Sequence, residues 1–363
     1  MSTFNFIVWE ASPEIFSIGS LAIRWYGLLF ACGFLLGQQV MIRIFKIEGK
    51  SEKHVETLTL YMVIATIIGA RLGHCLFYEP SHYLSHPLDI LKIWEGGLAS
   101  HGAALGILIA MYIYSRKQTD QSYLYILDRM AIIVVLAGCL IRIGNLMNSE
   151  IVGKPTDSAI GFIFVRSTED RIMENFSSAI KNVRINKNGK DSTMNNMSLA
   201  GLDLTIEFKD KNIPAESITN FIQNNLRETL SSYGDVQENI VVPAGFLSQN
   251  INMNNGTPKA TVKIYGIPRH PAQLYEAISC LFLFFLLLYI YSRKKAATRE
   301  GRIFGTFIVI LFTLRFLYEF IKAPQVDFEN NMVLNMGQIL SIPLIIAGIF
   351  ILLRSFRKKN EIS

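Results

Sequence analysis

The sequence VVLAGCLIRIGNLMNSEIVGKPTD, residues 134–157, holds both the apolar stretch and the polar groups that decide the fold. It begins as a segment fit for a membrane interior, places Arg142 inside that segment, and places Asn145 three residues later. It then ends in a polar, turn-like tail. A guanidinium is costly in hydrocarbon, so an arginine within a membrane helix usually faces a protein cavity and marks a functional site.

Half of the 363 residues are hydrophobic, which is too apolar for an ordinary soluble enzyme of this length. Several apolar runs approach the roughly 20 residues that a helix needs to cross a bilayer. The sequence therefore predicts an all-α polytopic membrane protein with about seven transmembrane helices. We place the spans at residues 21–40, 56–77, 97–115, 123–147, 271–291, 303–321 and 337–353. The N-terminal segment has no basic leader, so we expect the first span to act as an uncleaved insertion signal.

Basic residues cluster after predicted spans one, three, five and seven, whereas the other connections are nearly bare. The N-terminal segment has no lysine or arginine before the first span, and the second loop has only Lys92. The positive-inside rule then predicts an N-terminus outside and a C-terminus in the cytoplasm, which agrees with an odd number of spans. The same loops could instead bind anionic lipids, but topology is the simpler explanation.

A long polar segment between spans four and five predicts a small α+β head on the outer side. LDLTIEF (202–208) and ATVKIYGI (260–267) alternate like strands, and residues 215–233 form an amphipathic helix pattern. That helix would bury Ile218, Phe221, Ile222, Leu226 and Leu230. Residues 186–198 predict a loop or a disordered piece. We therefore divide the chain into 1–160 with helices one to four, 161–265 as an extracytoplasmic insert of structural or partner-contacting role, and 266–363 with helices five to seven and a basic cytoplasmic tail.

Under this orientation, nearly every polar group of the spans falls in the outer half of the membrane. Two of them, Arg142 and Arg315, lie well inside spans, and guanidinium forks are suited to binding phosphate. The sequence thus predicts an outward-facing site for a phospholipid headgroup, and no metal or cofactor is expected. Other polar side chains predicted at this depth are Tyr26, Arg71, His101, Asn145, His270, Gln273, Tyr275, Glu276, Glu319, Gln338 and Ser341. Of these, Tyr26 could belong to the interfacial aromatic belt, and Glu319 could simply neutralise Arg315.

Seven blocks of the sequence, in order, resemble those of the bacterial prolipoprotein diacylglyceryl transferases. They are IRWYG (23–27), GARLGH (69–74), EGGLASHGAALG (95–106), RIGNLMNSEIVGKPTD (142–157), RHPAQLYE (269–276), LRFLYEF (314–320) and MGQILS (336–341). The resemblance covers roughly residues 1–160 and 266–345. It implies an inner-membrane transferase that moves diacylglyceryl from phosphatidylglycerol to the lipobox cysteine of a preprolipoprotein signal peptide and releases glycerol phosphate. It implies no nucleic-acid partner.

By position, the resemblance implies a functional role for eight residues: Tyr26, His101, Arg142, Asn145, Glu150, Gly153, Arg315 and Glu319. To these we add Arg71, Gln273 and Gln338 as substrate-binding candidates. The chain departs from the family at Ile141, Ser149 and Ala103, where glycine is usual. These are packing positions, so the departures put local geometry in question more than activity.

In the mechanism that we expect, Arg142 and Arg315 neutralise the charge that develops on the leaving phosphate, and Asn145 adds a hydrogen bond. His101 would either accept the proton of the attacking thiol or orient the headgroup; Tyr26 is a further catalytic candidate. Two other classes of protein compete with this interpretation. A transporter would place polar groups at the midplane or in both leaflets, and a membrane scaffold would leave the arginines unexplained.

Overall fold

The computed structural model describes residues 6–19, 21–194, 197–253, 257–324, 329 and 332–357. Lys358 and Lys359, which contribute to the predicted basic tail, lie outside these ranges.

Three short strands precede the first long helix: β1 (Ile7–Trp9), β2 (Glu14–Ile18) and β3 (Leu21–Arg24). The prediction of a span from residue 21 is wrong at its start, because β2 and β3 pair as an antiparallel hairpin and the helix begins at Trp25. Gly19, with a φ of 62°, gives the chain the left-handed residue that this reversal needs.

The next part of the chain consists of four long helices. They are α1 (Trp25–Ile47), α2 (Glu52–Phe77), α4 (Ser100–Lys117) and α5 (Tyr123–Met147), with the short helix α3 (Pro80–Ser85) between α2 and α4. Helix α5 has the bounds predicted from hydropathy. Such long apolar helices form because a backbone in hydrocarbon must satisfy its own hydrogen bonds.

An α+β region separates α5 from the last three long helices. It contains β4 (Phe162–Phe164), α6 (Arg166–Phe176), β5 (Ile180–Lys187), β6 (Ser192–Met194), β7 (Met197–Phe208), α7 (Ala215–Phe221), α8 (Arg227–Ser232), α9 (Gly234–Gln237), β8 (Ile240–Val241), β9 (Gln249–Asn252) and β10 (Lys259–Gly266). A π-helical turn, Ile222–Leu226, joins α7 to α8. The antiparallel order is β5-β7-β10-β8, with β6 on β7 and β9 on β10, while β4 pairs in parallel with β1.

The predicted strands and amphipathic helix of this region are confirmed. Ile218, Ile222, Leu226 and Leu230 are buried against the inner face of the sheet, and Phe221 packs at the edge of the same core. The prediction of a loop or disorder at 186–198 is wrong for residues 192–194, because these form β6, which pairs with β7. It is confirmed at 188–191, where a loop with the left-handed Gly189 joins β5 to β6. Residues 195 and 196 lie outside the described ranges.

The chain continues with the long helices α10 (Ala272–Lys294), α11 (Arg302–Tyr318) and α12 (Met336–Arg357). Within the part of the chain that the structure describes, five helices are long and apolar enough to cross a membrane: α1, α2, α5, α10 with its extension to Ala297, and α12. This confirms a polytopic membrane protein. Helices α4 and α11, with 18 and 17 residues, occupy the positions of the two remaining predicted spans.

The structure divides into two compact units. The head unit comprises residues 1–27, 142–275 and 318–332, and the bundle unit comprises 28–141, 276–317 and 333–363. The head unit therefore contains the α+β region and the chain segments on either side of it. The division predicted from sequence, at residues 160 and 265, stays a prediction.

Within the bundle unit, α2 and α4 approach so closely that only glycine fits between them. A Cβ on Gly102 would lie 2.2 Å from the carbonyl oxygen of Gly69 and 2.6 Å from the Cα of Gly73. Small residues at helix interfaces are the usual means of close packing in membranes. The contact fixes the first turn of α4, which carries His101.

A buried ion pair links α5 to the end of α1 in the bundle unit. Arg129 donates to the Glu48 carboxylate at 2.8 Å and 3.2 Å, and both side chains are almost fully buried. Nearby, the Asp128 carboxylate accepts hydrogen bonds from the backbone N–H groups of Gly301 and Phe304, at the start of α11. These polar groups satisfy one another, as buried charges must.

Candidate functional site

The last two turns of α5 present the polar residues that the opening stretch predicted. Arg142 and Asn145 lie three residues apart and therefore on one helical face. Arg142 Nη1 donates to Asn145 Oδ1 at 3.4 Å, and Asn145 Nδ2 donates to Glu150 Oε1 at 2.7 Å. Asn148 Nδ2 donates to the same carboxylate oxygen at 3.2 Å. The amide of Asn145 thus links the guanidinium to the carboxylate.

Tyr26 lies against the helix that carries this network, because α1 packs directly on α5. A Cβ on Gly144 would lie 2.9 Å from Tyr26 Cδ2 and 3.1 Å from Tyr26 Cα. Glycine at 144 is therefore required by the close approach of the two helices. The N-terminal strands support the same helix end, since Trp9 Nε1 donates to the Leu146 carbonyl at 3.0 Å.

Residues 148–154, which follow α5, form what we call the site loop. Ser149 and Ile151 adopt the left-handed backbone region, with φ values of 54° and 58°. Ser149 lies just past the helix end, where the left-handed conformation usually belongs to glycine. Glu150 is held between these two strained residues.

Gly153 lies where the site loop passes between two other chain segments. Its N–H donates to the His270 carbonyl at 2.9 Å, and the N–H of Lys154 donates to the Ile321 carbonyl at 2.7 Å. A Cβ on Gly153 would lie 2.5 Å from His270 Cβ and 2.9 Å from the Ile321 carbonyl oxygen. Any larger residue would push these segments apart.

The block at residues 269–276 supplies side chains that face the site loop. Gln273 Nε2 donates to the Glu150 carbonyl at 2.5 Å, and Arg269 Nη1 donates to the Gly153 carbonyl at 3.1 Å. Both side chains are buried. Burial lowers the pKa of the neighbouring His270 imidazole, which favours its neutral form.

Glu319 lies near the point where Gly153 passes between two chain segments. Lys322 Nζ donates to Glu319 Oε1 at 3.3 Å, and Lys322 forms an isolated β-bridge with Gly153. The pairing of Glu319 with Arg315, which the sequence suggested, stays a prediction. Lys322 is a buried partner of Glu319 that the sequence interpretation missed, although its spacing of three residues was visible.

Four of the predicted site residues belong to the bundle unit. His101 is the second residue of α4 and is exposed, and Arg315 is half-buried in the last turn of α11. The roles predicted for both residues stay predictions. The head unit, by contrast, brings together Tyr26, Arg142, Asn145, Glu150, Gly153, Gln273 and Glu319.

Arg71 and Gln338, the two other predicted site residues of the bundle unit, form hydrogen bonds with nearby backbone groups. Arg71 is 3 % exposed and donates to the carbonyls of Asp89, Ile90 and Gly96 at 2.6 to 2.9 Å, so its guanidinium organises the loop before α4. Gln338 exchanges hydrogen bonds with Asn335, side chain to backbone in both directions, which forms a capping box at the start of α12. Both side chains thus organise local structure, and the substrate-binding roles predicted for them stay predictions.

The geometry combines a cation, a hydrogen-bonding amide and a carboxylate at the end of an apolar helix. Arg142 keeps its charge at any relevant pH and offers several N–H donors to an anion. Asn145 and Glu150 orient one another through the hydrogen bond between them. Such an arrangement can bind a phosphate group and stabilise negative charge that develops on it.

Comparison with protein families gives one match that covers nearly the whole chain. The family model for prolipoprotein diacylglyceryl transferase matches residues 13–354. This range includes every site residue that the sequence predicted.

Curated relatives agree with the family match. The chain is 34% identical to the phosphatidylglycerol–prolipoprotein diacylglyceryl transferase of Chloroherpeton thalassium, over 99% of this chain and 97% of the relative. It is also 34% identical to the enzyme of that name from Tolumonas auensis, over 97% and 99% of the two chains. The chain is 32% identical to the Bacteroides fragilis enzyme of that name, over 98% of this chain and 97% of the relative. The chain therefore belongs to the prolipoprotein diacylglyceryl transferase family.

Proposed function

We propose that this protein transfers diacylglyceryl from phosphatidylglycerol to the lipobox cysteine of a preprolipoprotein, the first step of lipoprotein maturation. The single observation that carries the proposal is the polar network at the end of α5, found in a chain of this family. Arg142, Asn145 and Glu150 are joined by hydrogen bonds, and all three lie in the range that the family model matches. The relatives' name supplies the lipid donor and the class of acceptor.

The reaction is a substitution at an sp³ carbon. The cysteine sulphur forms a bond to the terminal glycerol carbon of the diacylglyceryl group, and the bond from that carbon to the phosphate oxygen breaks. Glycerol phosphate leaves with the electron pair, and the thiol proton passes to a base. A thiolate is the reactive form, so the base or a positive field must lower the proton affinity of the thiol.

We assign Arg142 to the phosphate, where its fork neutralises the charge of the leaving group. Arg315 is the second cation of this clamp, and Asn145 donates a further hydrogen bond or holds Arg142 in place. Glu150 fixes the Asn145 amide. His101 is the candidate base, with headgroup orientation as its alternative role, and Tyr26 lines the same helix end.

The proposed architecture has seven spans, with the N-terminus and the α+β region outside and the C-terminus in the cytoplasm of the bacterial inner membrane. The distribution of lysine and arginine between the loops supports this orientation. It places the end of α5 at the outer surface, where a lipid headgroup and a membrane-anchored signal peptide can both arrive.

The proposal is tested with purified protein, labelled phosphatidylglycerol and a synthetic lipobox peptide, and thioether formation is measured by mass spectrometry. The wild-type protein is expected to form the lipidated peptide. Arg142→Ala and Arg315→Ala should each lower the rate by about 100-fold or more, since each removes a cation from the developing charge.

Arg184→Ala provides the matched control, because Arg184 is an exposed arginine on β5 of the head sheet. It should retain full activity. Transfer at the wild-type rate by either Arg142→Ala or Arg315→Ala would refute the phosphate clamp. Absence of thioether from the wild-type protein would refute the proposed function itself.

A further inference from the structure

The site loop is held at two of its backbone carbonyls by side chains from one short segment, residues 269–273. Gln273 Nε2 binds the Glu150 carbonyl, and Arg269 Nη1 binds the Gly153 carbonyl. Gln273 is 1 % exposed and Arg269 is 6 % exposed, so water does not compete for these hydrogen bonds. In such a low-dielectric setting each hydrogen bond is strong.

The site loop has a backbone conformation that its own residues disfavour. Ser149 and Ile151 are both left-handed, and a β-branched residue such as isoleucine strongly disfavours this region. The Ser149 hydroxyl is buried and has no hydrogen-bond partner among the described residues. Something outside the loop must therefore impose its conformation.

The Gln273 hydrogen bond acts where the strain is greatest. The Glu150 carbonyl belongs to the peptide group between Glu150 and the left-handed Ile151. The other side-chain atom of Gln273, Oε1, is buried without a partner among the described residues, so the amide is oriented to serve this one carbonyl.

Arg269 ties the far end of the loop to the α+β region. Its Nε and Nη2 donate to the Glu238 carbonyl at 3.0 Å and 2.5 Å, while Nη1 reaches Gly153. Glu238 follows α9 directly. One guanidinium therefore holds together the site loop and the last helix of the region between β7 and β8.

We infer that Gln273 and Arg269 are positioning residues, which hold the site loop in its strained form and so place Glu150 and Gly153 for catalysis. This inference rests on the proposed function. It assigns Gln273 to the protein backbone instead of the substrate, and it gives the α+β region a part in shaping the site.

The chain itself offers a way to test this, because glycine adopts the left-handed region without strain. Ser149→Gly should lower the energy of the native loop and make its conformation less dependent on Gln273. The two positions should therefore be coupled in a double-mutant cycle. A residue that only stabilises the fold would show no such coupling in the turnover rate.

The experiment measures kcat and KM for phosphatidylglycerol in the full-length protein with the lipobox peptide. Gln273→Met keeps the side-chain size but removes the donor, and kcat should fall by about 100-fold, because a displacement of the reacting groups of about 1 Å has an effect of that size. KM should change by less than about threefold, since the phosphate-binding cation is untouched.

The decisive quantity is the effect of Ser149→Gly in two backgrounds. The factor by which Ser149→Gly raises kcat should be at least about fivefold larger in the Gln273→Met background than in the wild type. This size follows from the usual energy of a left-handed non-glycine residue. Arg269→Lys, which cannot reach both carbonyls at once, provides a second background with the same expectation and guards against misfolding of Gln273→Met.

Gln223→Met is the matched control, because Gln223 also binds a loop backbone, at Leu247, but lies away from the site loop. It should retain kcat and show no coupling to Ser149→Gly. Equal effects of Ser149→Gly in all backgrounds would overturn the inference and leave the transferase assignment intact. Loss of the reaction in the wild type would instead contradict the proposed function.

Discussion

Glu169, in the head unit, is a single residue whose titration should be visible in the stability of the protein. It is buried on α6, and its Oε1 accepts a hydrogen bond from the Ile185 backbone N–H of β5. Burial raises the pKa of this carboxyl to about 7, although the hydrogen bond and Arg166 act in the opposite direction. The folded protein thus holds this proton more tightly than the unfolded chain does.

The sign of the pH dependence follows from this pKa. Stability should fall as pH rises from the ordinary value of 4.5 through about 7, and then level off. Glu169→Gln removes the titration and keeps an acceptor for Ile185, so it should stabilise the head by on the order of 2–3 kcal/mol at pH 8 and have little effect at pH 4. Hydrogen exchange of β5 measures the effect, and an equal change at both pH values would contradict the prediction.

Helix α4 shows how a single element depends on its packing partner. Gly102 touches the backbone of α2, so Gly102→Ala must force the two helices apart. Overpacking of this kind costs about 1–3 kcal/mol, and the displaced helix carries His101. We expect a lower unfolding midpoint and a reduced transfer rate.

Gly138→Ala is the matched control for this prediction, because the nearest atom to its new Cβ is Cys280 Sγ at 3.8 Å, an ordinary contact. It should keep both the unfolding midpoint and the activity. If Gly102→Ala behaves like Gly138→Ala in differential scanning fluorimetry and in the transfer assay, the prediction is wrong. The close approach of α2 and α4 would then be needed for neither stability nor activity.

At the scale of the whole molecule, the proposed orientation is open to a direct test. Alkaline phosphatase is active only outside the cytoplasm, whereas green fluorescent protein exported by the same route stays dark. Phosphatase inserted after Lys211, an exposed residue between β7 and α7, should be active, and a C-terminal fluorescent fusion should be bright. Phosphatase inserted at 295–297 should be inactive. The opposite pattern of activities would contradict the proposed orientation.

Much of the architecture was predictable because its causes are local. The bounds of α5 matched the hydropathy prediction, and the strands β7 and β10 followed the alternation of apolar residues. The site residues at the end of α5 were also predictable, since a charged residue in an apolar run is visible in the sequence. The pairing of β6 with β7 was not predictable, because the polar composition of this stretch hides pairing that only a neighbouring strand provides.

The amino-acid sequence by itself determined where the apolar helices lie and that Arg142 and Asn145 share one helical face. Both depend on the period of one helix and on transfer of side chains out of water. Tertiary structure alone decided the left-handed Ser149 and Ile151, the passage of Gly153 between two segments, and the roles of Arg269 and Gln273. The hydrogen bonds from Arg269 and Gln273 to the site loop join residues more than a hundred positions apart, which no local pattern records.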